Sequence, residues 1–133
     1  SIGTCDYASN TVVKSYPVGL NVEAFYLDTL MRLNRLALYA EEREHVTLAL
    51  YRRLANLFSR HDIVDTVDNS DLRLTLDYSE DLTVIREAYS ALGLEHCNIP
   101  YAELIAWFRS HPEIANLNSV HSACTTRPYP AGQ

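Results

Sequence analysis

Apolar residues change their period near residue 78. In Leu72-Arg73-Leu74-Thr75-Leu76 they occupy every second position, as in a half-buried strand with its leucines inward. Beyond Tyr78 they recur at three and four (Leu82, Ile85, Tyr89, Leu92), which predicts an amphipathic helix closed by Gly93 as a left-handed cap. Asp77 and Glu80 stand three apart, in an arrangement similar to a capping box, with Ser79 as a competing N-cap. A cap of this kind contributes about 1 kcal/mol and accounts for Asp77 without any ligand.

The same patterns divide the remaining chain. Cys5–Ser15 and the alternating Leu20–Phe25 read as strands joined across the Tyr16-Pro17-Val18-Gly19 turn, so a hairpin or adjacent pair is expected. Asp28 is placed to cap a helix through Leu30, Leu33, Leu36 and Ala37 to about Tyr39. A second helix covers roughly Arg43–Ser59, with Val46, Leu50, Leu54 and Leu57 inward. The charged run Glu41–Glu44 would not break the two apart, so whether they are continuous stays open. Ile63–Val67 reads as a short strand before the Asp68-Asn69-Ser70 turn. A linker, Leu94–Ile99, leads to Pro100 and a helix that buries Leu104, Ile105 and Phe108 and stops near Ser110 ahead of Pro112. Residues 112–118 fit a short helical turn. Residues 1–118 are expected to form the domain, and residues 119–133, polar and without periodicity, a C-terminal tail.

The expected fold class is α/β or α+β, with about four main helices on a small mixed sheet of three to five short strands. At 133 residues with 47% apolar side chains, the length suits one domain burying roughly two-thirds of its unfolded surface. No apolar run approaches the ~20 residues of a membrane span, and no leader is read at the start. Cys5, Cys97 and Cys124 form no C-x-x-C pair and read as reduced thiols, which predicts a cytoplasmic protein.

Net charge is −6, which argues against nonspecific nucleic-acid binding. Residues 1–60 carry seven basic and six acidic side chains, residues 61–133 four and eleven. Seven of those eleven acids lie between Asp62 and Asp81, either as a solvated face or as a place for a cation. Asp62, Asp65, Asp68 and Asp71 lack the order and glycine of a calcium loop. His96-Cys97 and His121-x-x-Cys124 match no structural zinc spacing. No phosphate-binding glycine loop and no nucleophile elbow is present among glycines 3, 19, 93 and 132.

Three segments in order carry more information than any one of them. These are Tyr16-Pro17-x-Gly19-Leu20-Asn21-Val22-Glu23, Arg43-Glu44-His45-Val46-Thr47 and Leu72-Arg73-Leu74-Thr75-Leu76-Asp77-x-x-Glu80-Asp81-Leu82. With the closing Ala106–Asn118, they resemble the C-terminal half of spore-coat-polysaccharide-type cytidylyltransferases, relatives of the CMP-sugar synthetases. The resemblance spans nearly Asp6–Asn118. It implies half of a nucleotidyltransferase-like fold and, in the whole family enzyme, transfer of a nucleoside monophosphate from CTP to a sugar with Mg²⁺.

By matching positions, Asn21 and Glu23 would line the sugar pocket, Arg43 and His45 would sit near it, and Asp77 would help hold Mg²⁺. The sequence departs from the pattern at Asn21 in place of Asp, Leu48 in place of Pro, and Tyr78-Ser79 in place of Thr-Pro. The family's phosphate loop and first metal acid belong to an N-terminal half that this sequence does not include. The expectation is therefore a half domain with sugar- and metal-side residues that does not catalyse alone. A separate N-terminal half is a candidate partner. A sheet edge left without that half would need covering, which predicts a homo-oligomer, a dimer first. The alternative is a non-catalytic interaction or small-ligand-binding module reusing the fold.

Overall fold

A computed structural model describes residues 5–126. It is a mixed α/β structure with a three-stranded sheet and six α-helices among the described residues. The chain forms two compact units. The first takes residues up to Ser15 and Asn21–Thr66, the second Tyr16–Leu20 and the residues from Val67 onward.

The first unit holds the sheet, in order β2-β1-β3: β1 (Tyr7–Ser9) pairs antiparallel with β2 (Glu23–Phe25) and parallel with β3 (Arg60–Asp62). The adjacent pair expected from Cys5–Ser15 and Leu20–Phe25 is present in shortened form. The third strand forms earlier than the apolar run at Ile63–Val67 suggests. Ser59 explains the shift: its N–H and hydroxyl both donate to the Asp6 carboxylate (2.7 and 2.8 Å), which fixes the start of β3 beside β1. Those bonds, with Arg32 3.0 Å away, hold the Asp6 carboxyl below its ordinary range.

Helix α1 (Leu27–Leu36) follows β2 directly and packs Leu33 against Tyr7, Leu50, Leu54 and Phe58. The long helix expected over Arg43–Ser59 is instead α2 (Ala40–Glu44), α3 (Leu48–Tyr51) and a 3-10 turn at Ala55–Leu57. His45 leaves the helical region (φ −105°, ψ 81°), and the β-branched pair Val46-Thr47 follows it. Leu50 and Leu54 are buried as expected, but the break turns Val46 and Leu57 outward. Glu42 then becomes structural. Its carboxylate accepts from Arg53 (2.7 and 2.9 Å) and from the Leu38 N–H (2.8 Å), and the Arg53 contact above all lowers its pKa to about 2.

In the second unit, α4 (Ser79–Leu92) ends at Gly93 in the left-handed conformation (φ 61°), as its sequence predicts. α5 (Tyr101–Ser110) buries Phe108, and α6 (Pro112–Ala115) starts on its proline. A 3-10 segment, Ser119–Thr126, closes the described chain, and the remainder of the expected tail lies outside the described residues. No described helix is long and apolar enough to cross a membrane.

Leu72–Leu76 is not a full strand. It makes one parallel bridge, Val18 to Arg73, through Val18 N–H to the Leu72 carbonyl (3.0 Å) and Leu74 N–H to the Val18 carbonyl (2.7 Å). Gly19 makes this bridge possible. It sits at φ 104°, and a Cβ there would overlap the Leu74 carbonyl oxygen. Gly19→Ala is expected to destabilise the protein by roughly 1–3 kcal/mol, read as a lower urea midpoint at unchanged slope.

Candidate functional site

Of the residues singled out in the sequence, Asn21, Glu23, Arg43 and His45 belong to the first unit and Asp77 to the second. Glu23 begins the outer strand β2, opposite Ser9 of β1. The strand is anchored just before it, where Asn10 Oδ1 accepts the Val22 N–H at 2.7 Å. The Glu23 side chain would be free to move by default, but two hydroxyls restrain it. Tyr7, fully buried at the centre of the sheet, donates to Oε1 at 2.6 Å. Thr47, in the break between α2 and α3, places its Oγ1 3.0 Å from Oε1 and 3.1 Å from Oε2.

Burial, and then the bond to Glu23, raises the Tyr7 phenol above its ordinary pKa, so Tyr7 stays a donor at neutral pH. No cation pairs with Glu23 among the described residues. The result is an exposed carboxylate with fixed direction and unneutralised charge, suited to accept hydrogen bonds from hydroxyl groups of a ligand.

The neighbouring candidates are arranged differently. Asn21 is exposed and precedes the strand. His45 is half-buried, and its backbone donates to the Glu41 carbonyl (2.9 Å) and accepts from the Leu48 N–H (2.8 Å). Arg43 reaches back along α1, donating to Asn34 Oδ1 (3.1 Å) and the Ala37 carbonyl (3.3 Å).

Asp77 rests on a buried ion pair that its own sequence motif conceals. Arg73 and Asp81 are 3% and 0% exposed and meet through two bonds, Nε to Oδ1 at 2.9 Å and an Nη to Oδ2 at 3.0 Å. Asp81 Oδ2 also accepts the N–H groups of Asp77 (3.0 Å) and Tyr78 (3.1 Å), and Asn118 donates to Oδ1 at 2.7 Å. Burial alone would raise the Asp81 carboxyl, but the bonds from Arg73, the Asp77 N–H, Asn118 and the Tyr78 N–H outweigh it and hold it well below the carboxylate range.

Tyr78, not Asp77 or Ser79, therefore stands at the N-cap of α4, and Asp81 at the third helical position supplies the carboxylate arm of its capping box. The Asp77 side chain is left exposed, with Oδ2 accepting from Arg73 (2.7 Å) and Thr75 (3.1 Å). Beside it the Tyr78 ring lies over the Arg73 guanidinium (5.4 Å) and stacks on His121 (3.9 Å).

Magnesium takes an octahedral set of oxygens and usually keeps several waters. Among the described residues no three His, Cys, Asp or Glu side chains gather to hold a metal. One oxygen of Asp77 is already engaged by Arg73, so the donors present do not by themselves fit a Mg²⁺ ion.

Sequence reasoning missed Tyr7, Thr47, Arg73, Asp81 and Asn118 as parts of these arrangements. Only Asp81 carried a usable signal, as an acid at the third position of the helix after Tyr78. Arg73 looked outward because it alternates with leucines, and Asn118 lies far along the chain from its partners.

Among the comparisons with known proteins, a structural match bears on this fold. No family model matches the chain. It is 29% identical to an uncharacterised protein of Methanocaldococcus jannaschii over 116 residues, 86% of this chain and 45% of that protein. Its structure matches that of a cytidylyltransferase from Leptospira borgpetersenii serovar Hardjo-bovis with a TM-score of 0.75 at 23% identity, covering 85% of this chain and 46% of the other. The fold is thus cytidylyltransferase-like, and the chain spans about half the length of these proteins.

Asp81→Asn leaves the buried Arg73 guanidinium with only the exposed Asp77 carboxylate and is expected to cost about 3–5 kcal/mol, whereas the exposed Asp77→Asn stays within about 1 kcal/mol, both by chemical denaturation. Asp81 and Glu42 have folded-state pKa values below their unfolded ones. The stability they contribute is complete above the unfolded values, near 4, and is lost as pH falls through the folded ones. Glu42→Gln is expected to flatten the fall in stability between about pH 5 and 2 in pH-dependent urea melts.

Proposed function

We propose that this chain is a cytidylyltransferase-related half domain that keeps sugar- and metal-side residues, and that catalysis requires a complementary nucleotide-binding half. That half could belong to the same polypeptide or to a separate one. The observation that carries the reading is the Glu23 carboxylate, held by Tyr7 and Thr47 yet exposed and without a cationic partner among the described residues. Fixing a surface carboxylate in one direction costs side-chain freedom, and a ligand rich in hydroxyl groups gives that rigidity a use. Asn21 extends the same edge, with Arg43 and His45 as further sugar-side residues.

Asp77 contributes one oxygen toward a metal in this reading. A second acid, phosphate oxygens and water must supply the remaining ligands, because phosphoryl transfer depends on positioning and charge neutralisation by several groups together. The protein is proposed to be cytoplasmic, where the free thiols of Cys5 and Cys97 would stay reduced.

A second reading, an interaction module, is favoured by a different observation. Tyr26, Leu27, Met31, Leu38 and Tyr39 are all large, apolar and more than half exposed in the first unit. A dimer or the complementary half would cover them.

Saturation-transfer NMR with a panel of monosaccharides separates the two. The sugar-side reading expects at least one sugar to bind, with Glu23→Gln weakening it about tenfold or more, which corresponds to about 1.4 kcal/mol. Absence of transfer from every sugar, or equal binding by Glu23→Gln, sinks it and leaves the interaction module.

A further inference from the structure

The first unit contains a cavity of about 400 Å³ beside α1, α2 and α3. Leu30, Leu33, Val46 and Ala49 form apolar wall, and Asn34 and Arg43 are polar groups at the same cavity. Glu42 also lines it, but Arg53 and the Leu38 N–H satisfy its carboxylate. Arg43 is in the opposite condition. Its guanidinium is fixed by two neutral acceptors, Asn34 Oδ1 and the Ala37 carbonyl, and no carboxylate pairs with it among the described residues.

A positioned guanidinium favours carboxylate, through charge-assisted and often paired hydrogen bonds. The wall beside it takes an apolar body of matching size. We propose that this cavity binds a small organic carboxylate with an apolar body, its carboxylate paired to Arg43. The inference goes beyond the sugar-side reading, which reaches Arg43 only by matching positions, and it does not depend on Glu23.

The test is methyl-detected NMR titration of the full chain with octanoate and, as its neutral counterpart, 1-octanol. Octanoate is expected to shift the methyls of Leu30, Leu33 and Val46 saturably and to bind at least tenfold more tightly than octanol. Arg43→Gln is expected to remove that preference. Met31, exposed at the cavity, gives a second variant that leaves Arg43 in place. Met31→Trp is expected to obstruct the cavity and weaken octanoate binding, and it decides the matter if Arg43→Gln does not fold. Equal affinity for octanoate and octanol, no saturable shift, a preference that survives Arg43→Gln, or unchanged binding in Met31→Trp would each overturn the proposal. The monosaccharide experiment reads Glu23 and this one reads the cavity methyls, so either reading can fail without the other.

Discussion

The Arg73–Asp81 pair decides which face of α4 turns into the core of the second unit. A buried ion pair contributes little net stability, because desolvating both charges offsets their attraction, but removing one partner is strongly unfavourable. Once Asp81 is drawn inward to Arg73, helical geometry brings Val84 and Ala88 inward with it, three and seven residues on. Leu82 and Tyr89, which the apolar pattern placed in the core, are turned to the exposed side. The same pair holds the junction before α4, since Asp81 also takes the Asp77 and Tyr78 N–H groups. Asp77 is then free of capping and stands at the surface, tied to the interior through Arg73.

A comparable constraint shapes the first unit with the signs of burial reversed. There the carboxylate is at the surface and its supports are inside: Tyr7 from the middle strand and Thr47 from the break between two helices. The break itself is connected to the site. A helix continuous through Thr47 would have followed the expected pattern of Val46, Leu50, Leu54 and Leu57. The interrupted chain places the Thr47 hydroxyl on Glu23 and leaves Val46 beside the cavity that Arg43 shares.

Much of the architecture was legible where local rules and tertiary packing agree. Gly93 ends its helix, Pro112 starts the next, Phe108 is buried, and a mixed α/β fold with a small sheet is found. The ordered segments around Glu23, His45 and Asp77 pointed to a cytidylyltransferase-like fold that the structural match supports. What the sequence concealed were charges taking core positions. Arg73 occupies the polar phase of an alternating run and is buried nonetheless, and its partners Asp81 and Asn118 lie 8 and 45 residues away. Periodicity counts apolar side chains and therefore cannot register a buried pair of opposite charges, nor a helix interrupted by one histidine and two β-branched residues.

The rotation of α4 can be measured directly, because the apolar pattern and the ion pair assign positions 82 and 84 opposite exposures. Single cysteines at Leu82→Cys and Val84→Cys, with Cys5, Cys97 and Cys124 replaced by serine, would be reacted with a thiol reagent under native conditions. If Arg73–Asp81 sets the helix, position 82 reacts rapidly and position 84 only as fast as the protein opens. Protection at 82 with rapid reaction at 84 would contradict the account.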